Sequence, residues 1–283
     1  KGDAKVVDSD LAISVWTQNK ALSLDGDGDF IEVADSDSLD VVHVTTEAWV
    51  LRKSEWRDAA VITKGHNTGY LLSLSPKSNA FRWHIMSNKG WKYFDSNQYP
   101  QLSGEWIHLA ATFDGQSMKI YVNGQYDSER SHGGVITKNG DSVRIGSMRA
   151  YEVFFYGLID EVRLWNFART EAEIQATMNS SLTGNEEGLV GYWNFDDGTA
   201  KDLTANGNDG EFKGDAKTIE TVLGGVVIPD PNLRAALEKA LGKNEGDAIT
   251  KEDLEGLKEL RYEGKEGAKI SDLTGLEHCS SLT

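Results

Sequence analysis

Residues 105–123 spell out an antiparallel hairpin, and that hairpin restricts this part of the chain to a β-sheet fold. Ile107, Leu109, Ala111 and Phe113 alternate with Trp106, His108, Ala110 and Thr112, the period of a half-buried strand. Asp114-Gly115 then supplies a turn, because Gly accepts positive φ and Asp tolerates it. Met118, Ile120 and Val122 alternate on the return, and Asn123-Gly124 opens the next hairpin. A second strand runs from Gly157 to Trp165. Strict alternation predicts Leu158, Asp160, Val162 and Leu164 on one face, with Glu161, Arg163 and Trp165 on the other.

Composition narrows the class of function. The formal charge of −16 over 283 residues lacks the basic footprint of a nucleic-acid binder, and suits divalent cations and a soluble extracellular surface. A single cysteine rules out an intramolecular disulfide, so packing must hold the fold, with metal as a supplement. No apolar run approaches the roughly 18–20 residues of a membrane span, so no membrane insertion is expected. Nothing at Lys1 reads as a signal peptide, and a start on Lys rather than Met reads as a piece of something longer.

The motif Glu-Trp-Ile-His-Leu…Phe-Asp-Gly…Tyr-Val-Asn-Gly, with Gly-Leu-Ile-Asp-Glu-Val-Arg-Leu-Trp at 157–165, resembles the laminin-G-like, concanavalin A-type jelly roll. Residues 21–26, 30–33 and 46–50 resemble its opening strands. The resemblance covers roughly residues 20 to 220 and implies a mainly β fold: two stacked antiparallel sheets with a role in binding sugars or proteins.

The expected organisation is a linker or tail of a preceding similar unit at 1–19, a sandwich over 20–222, and a small α-rich region over 226–283. Lys1-Gly2-Asp3-Ala4-Lys5 recurs as Lys213-Gly214-Asp215-Ala216-Lys217, an offset of 213 − 1 = 212 residues, which supports a repeated unit. Two strand-like stretches within 189–220 either close this sandwich or open another, and closure is favoured because unpaired strands would expose sheet edges. Thr170-Glu171-Ala172-Glu173 is a capping box that predicts a helix over 171–178. Asp230-Pro231 starts another helix, with Leu233, Leu237 and Leu241 as its apolar stripe, and Thr250 caps a third. Residues 226–283 resemble the N-terminal cap and first repeat of a bacterial leucine-rich-repeat solenoid. Its open core at Thr283 would make that end the least stable part.

Three groups of residues carry candidate sites. Asp25, Asp27 and Asp29 offer hard oxygen ligands for Ca²⁺, although their spacing is not that of an EF-hand. Asp160, expected to point toward the core at the sandwich rim, needs a partner there. The resemblance implies a structural Ca²⁺ between the first strands and the last long one, hence Asp160 with Asp25 or a nearby carbonyl. The alternative is that Asp160 caps backbone amides and the 25–29 loop is a solvated turn.

Sugar recognition needs aromatic platforms beside polar groups. Trp56 lies in a polar stretch, Arg82 and His84 alternate with Phe81, Trp83 and Ile85, and Trp91 and Tyr93 share a face of the next strand. Trp106, Trp165 and Trp193 lie inside the family motifs and are expected to be structural, with His108 packing beside Trp106.

Catalysis is not expected. Glycan-hydrolysing relatives place two carboxylates on one face, whereas alternation sends Asp160 and Glu161 to opposite faces. Glu161 with Arg163, and Glu47, read as ion pairs on a solvated sheet. The reading is a non-catalytic recognition or adhesion module from a secreted or cell-surface protein. It would bind a glycan or glycoprotein beside neighbouring domains of the same longer chain. The alternatives are an architectural spacer, or the accessory carbohydrate-binding domain of an extracellular glycan-degrading enzyme.

Overall fold

The computed structural model of the chain describes residues 19–53, 59–65, 68–75, 79–99, 104–148, 153–223, 225–226, 228, 230–244, 249–262 and 269–282. The repeat at 1–5 and Trp56 lie outside them.

Two antiparallel sheets stack face to face. The first runs β10 (Gln125–Ser131), β9 (Ser117–Val122), β8 (Trp106–Phe113), β3 (Val44–Arg52), β14 (Tyr156–Trp165), β1 (Asn19–Asp25), β17 (Lys217–Thr221), with β15 (Leu189–Trp193) paired to the end of β14. The second runs β16 (Gly210–Lys213), β2 (Phe30–Val33), β11 (Val143–Ile145), β4 (Ala59–Lys64), β5 (Tyr70–Ser75), β6 (Ala80–Ser87), β7 (Gly90–Asp95). A separate two-stranded pair, β12 (Ser147–Met148) with β13 (Val153–Phe154), packs beside β4. The fold is the expected jelly-roll sandwich.

The alternation read from the sequence places Ile107, Leu109, Ala111 and Phe113 in the core between the sheets, with Met118, Ile120 and Val122 beside them. Trp83 and Trp193 are fully buried there, and each indole N–H finds a backbone carbonyl, Thr112 O at 3.1 Å and Asn208 O at 3.0 Å. Asn123, at φ 50°, and Gly124, at φ 72°, make the β9–β10 turn where the sequence put it. Residues 189–220 close this sandwich: Trp193 pairs with Val162, β16 with β2, and β17 with β1.

One element departs from simple alternation. On β14, Asp160 pairs with Trp49 and Arg163 pairs with Glu47, so two residues oppose one on β3. Glu161 absorbs the extra residue with φ +50°, a β-bulge. Ile159, Val162 and Leu164 therefore reach the inner core, while Leu158 packs outside with Trp49, Leu51 and Trp106. Asp160 lies on the outer face opposite Trp49, not toward the core beside Val162. Glu161 joins it there, as its bonds to Arg163 and Tyr192 require, so the two carboxylates do not point to opposite faces.

The outer face of the first sheet is covered by α1 (Glu171–Thr177) and the chain after it. The Thr170–Glu173 capping box is complete, and the helix ends one residue before the expected 178. Trp49 Nε1–H donates to Met178 O at 2.8 Å, and Ile174 packs on Ala110 and Tyr121. Beyond the sandwich, α2 (Pro231–Leu241) and α3 (Lys251–Glu255) build a second small core of Ile228, Leu233, Leu237, Ile249, Leu254 and Cys279. Asp230 caps α2 through the amides of Asn232 and Leu233, at 2.9 and 3.0 Å. Its other oxygen accepts from Ser271 N at 2.7 Å and Ser271 Oγ at 2.9 Å, which ties the helix to the segment leading into the 276–278 turn. Among the described residues, no helix is long and apolar enough to cross a membrane.

Candidate functional site

Strands β6 and β7 form the edge of the second sheet farthest from β16. Phe81, Trp83 and Ile85 enter the core, so Arg82 and His84 stand on the opposite, outward face. Register then sets Asp95 opposite Arg82, Tyr93 opposite His84, and Trp91 opposite Met86. The His84 ring stacks on Tyr93 at 5.3 Å and lies 5.0 Å from Trp91. The Arg82 guanidinium sits 4.9 Å over the Tyr93 ring and forks onto the Asp95 carboxylate, with Nη2–Oδ2 at 2.8 Å. Four of the five residues expected to contact ligand are thus brought together; Trp56 falls outside the described residues. Tyr93 remains 49% exposed, which leaves part of its ring free to meet a partner.

The aspartate loop between β1 and β2 is organised differently from the sequence expectation. Asp25, Asp29 and Asp215 each bring one carboxylate oxygen within 4.8 Å of the others. Asp215, in the β16–β17 turn, was not anticipated; pairing of β16 with β2 delivers it. Asp29 is buried, and its carboxylate accepts from Asp25 N at 3.1 Å and Asp215 N at 2.8 Å. Burial, with the nearby Asp25 charge adding to it, raises its pKa. Gly214 closes the turn at φ +72°, where a Cβ would collide with Asp29 Oδ1 and lie 2.8 Å from Gly28 O. Asp27 is not part of the group; its amide donates to Asp25 Oδ1 at 2.7 Å.

Asp160 does not join Asp25 either. Asp25 pairs with Tyr156, four positions along β14 from Asp160, a separation of about 13 Å at the rise of a strand. Asp160 instead accepts from Asn19 Nδ2 and from Glu161 N, both at 2.7 Å. Its backbone-capping role is the alternative the sequence left open. Burial and the neighbouring Glu161 charge push its pKa well above the carboxylate range.

Around Asp160 lies a buried charge network that alternation presented as a solvated face. Glu47, His108, Glu161 and Arg163 are at most 1% exposed. Arg169 Nη1 donates to Glu47 at 2.6 Å, and Arg163 Nη2 donates to Glu161 at 2.6 Å. Tyr192 OH lies 2.9 and 2.8 Å from the two Glu161 oxygens. Arg163 also donates to Thr177 O at 3.0 Å and Ser180 O at 2.7 Å, which anchors the chain after α1 onto the sheet. His108 stacks edge-on against Trp49 at 5.4 Å and faces Glu47 at 3.6 Å, so Trp49 rather than Trp106 is its ring partner. Burial lowers the His108 pKa, and it raises that of Glu161 against the pull of Arg163. Glu47 is held low against its own burial by His108 and the two arginines. The signal missed was the cover supplied by residues 166–182; strand periodicity alone cannot report it.

Residues 25–175 match the family described as the concanavalin A-like lectin/glucanases superfamily. The chain belongs to that superfamily. Human and mouse pappalysin-1 are 27% and 26% identical over 188 residues, 57% of this chain but 11% of each of those proteins. Among solved structures, a candidate carbohydrate-binding protein from Bacteroides ovatus superposes with a TM-score of 0.59 at 22% identity, covering 74% of this chain and 61% of its own. A heptameric pentraxin from Limulus polyphemus superposes with a TM-score of 0.51 at 15% identity, covering 75% and 98%. Both share the sandwich.

Proposed function

We propose that this superfamily member is a non-catalytic recognition module that binds a glycan or glycoprotein on the outward face of β6 and β7. The observation that carries the reading is the Arg82–His84–Trp91–Tyr93 assembly. An aromatic ring, half open to solvent, is flanked by a fixed guanidinium and carboxylate. Such a surface stacks on the CH face of a sugar ring while the charged fork holds hydroxyls. The description of the Bacteroides ovatus relative as a candidate carbohydrate-binding protein is consistent with this ligand class.

The absence of chemistry is part of the proposal. Asp160 and Glu161 share a face, but both are buried and committed to Asn19, Arg163 and Tyr192, where no substrate reaches them. A structural Ca²⁺ belongs at Asp25, Asp29 and Asp215, where three convergent carboxylates offer the hard donors the ion prefers. It would neutralise the β1–β2 loop against the β16–β17 turn. A secreted or cell-surface setting, and a leucine-rich-repeat region built on α2 and α3, complete the reading.

The test is a printed panel of plant, bacterial and mucin oligosaccharides probed in millimolar Ca²⁺ with the wild type, Tyr93→Ala and Arg82→Ala. The expected result is binding to a defined subset that both variants lose. Equal binding by Tyr93→Ala refutes the assignment of the face.

A further inference from the structure

Lys64 is the one buried lysine among the described residues. It ends β4 two positions after Ile62, a core residue, so alternation turns its side chain to the inner face, where it is 2% exposed. Its partner across the strands is Tyr70, also buried, whose hydroxyl has no hydrogen-bond partner among the described residues. Burial raises the Tyr70 pKa, and the charges of Asp40 and Asp35 add to that effect. The lysine, the phenol and the two carboxylates therefore share one dry corner of the sandwich.

The Lys64 ammonium meets three acceptors there. It contacts Asp35 Oδ1, lies 3.4 Å from Asp40 Oδ1, and donates to Asp141 O at 2.9 Å. The Asp40 side chain is nearly enclosed, at 10% exposure, while Asp35 keeps one side open to solvent at 37%. Elsewhere among the described residues, the fully buried cations in ion pairs are Arg163 and Arg169. Arginine suits that task, because its planar fork satisfies carboxylates and stays charged. A lysine differs in one chemical respect. Once its nitrogen gives up a proton it is a nucleophile, and here it is held against a carboxyl group with a second carboxyl in reach.

We propose that Lys64 and Asp35 condense into an intramolecular isopeptide bond, with Asp40 relaying the protons. The Nζ lone pair forms the new bond to Asp35 Cγ. One C–O bond of Asp35 breaks, and its electron pair leaves with the oxygen. Of the three ammonium protons, one stays on the amide nitrogen and two leave with that oxygen as water, passed through Asp40. Nothing is oxidised or reduced. The open side of Asp35 gives the water an exit. The fixed approach of the two groups replaces a chance encounter, and the product removes two charges from a corner where ions are costly to bury. The bond would strap the sheet across β11, since Val143 pairs with Val33 on one side and with Lys64 on the other. It would close residues 35–64 into a covalent loop, in a chain whose single cysteine allows no intramolecular disulfide.

The experiment is intact-mass spectrometry of the denatured full chain, fresh and after prolonged incubation at neutral pH, followed by tryptic mapping. It compares the wild type with Lys64→Arg, Asp35→Ala and Asp40→Asn. Asp35 is the most exposed of the three positions, so Asp35→Ala serves as the control if Lys64→Arg fails to fold. The expected result is a wild-type mass lower than the sequence mass by one water. Mapping should give a branched peptide that joins the Asp35 segment to the Lys64 segment and is uncut after Lys64. Lys64→Arg and Asp35→Ala should keep the full sequence mass, and Asp40→Asn should condense at least about a hundredfold more slowly. A wild type that holds the full sequence mass after incubation overturns the proposal and leaves Lys64 as the cation of an ion pair. Water loss that persists in Lys64→Arg or Asp35→Ala, or that maps to a linear peptide as a cyclised aspartate would, overturns it too. Condensation at the wild-type rate in Asp40→Asn overturns the relay.

Discussion

Replacing Arg163 by Met breaks the buried network at its centre, and the structure sets the size of the effect. The guanidinium holds Glu161 at 2.6 Å, Ser180 O at 2.7 Å and Thr177 O at 3.0 Å, in a setting where Arg163 and Glu161 are at most 1% exposed. Removing one partner of a buried pair costs about 3–5 kcal/mol, because the other charge is left without compensation. Tyr192 still donates to Glu161, which places the expected loss near the lower end, about 3 kcal/mol. For a domain of this size that corresponds to a fall of about 6–12 °C in the sandwich melting midpoint. Adding Glu161→Gln to Arg163→Met removes the orphaned charge and should restore part of the loss. Thermal melts followed by near-ultraviolet circular dichroism check both variants, since Trp49 and Trp165 pack beside the network. A fall below about 2 °C, or a double variant no more stable than the single, would refute the reasoning.

Asp160→Asn is expected to leave stability at pH 7 unchanged or raise it. Among the described residues Asn19 Oδ1 is a buried acceptor without a partner, and a turned Asn19 amide would receive the new side-chain N–H. The sign follows from the raised pKa: the native carboxyl keeps its proton where the unfolded one, near 3.8, has lost it. Its stabilising effect is full below that value and is lost as pH rises through the native pKa. The gap between variant and wild-type midpoints should therefore narrow as pH falls toward about 4, and a gap that widens contradicts the assignment. Gly214→Ala forces a side chain into φ +72° against Asp29 and Gly28, so it should lower the midpoint and weaken any Ca²⁺-induced rise; an unchanged Ca²⁺ response would remove Asp29 from the site. Asp230→Ala frees α2 from Ser271, so limited proteolysis should cut residues 226–283 faster while the sandwich stays intact. Because its backbone donors hold the Asp230 carboxyl well below the usual range, the wild-type link should weaken only as pH falls below the ordinary carboxylate value.

The sheets were legible because their signal is local. Alternation on β8 and β9, and the Asn123-Gly124 turn, needed no tertiary information, and neither did the Thr170 and Asp230 caps. The β6–β7 face was legible for the same reason, since adjacent strands in register bring alternate residues together. The bulge at Glu161 was not. One residue at positive φ shifts the phase of β14, and with it the placement of Leu158, Asp160 and Glu161. The acidic group was half legible: Asp25 and Asp29 sit in one loop, but Asp215 arrives through a strand pairing nearly two hundred residues away. The burial of Glu47 and Arg163 depends on a helix laid over the sheet, and a strand's own sequence carries no trace of its cover.

The central claim is recognition of a saccharide through Tyr93 and its neighbours. Its most direct measurement is calorimetric titration of the strongest oligosaccharide from the printed panel into the wild type and into Tyr93→Ala, both in Ca²⁺. The account predicts saturable, exothermic binding by the wild type and a loss of at least about tenfold at the β6–β7 site in the variant. Identical isotherms for the two proteins would contradict it.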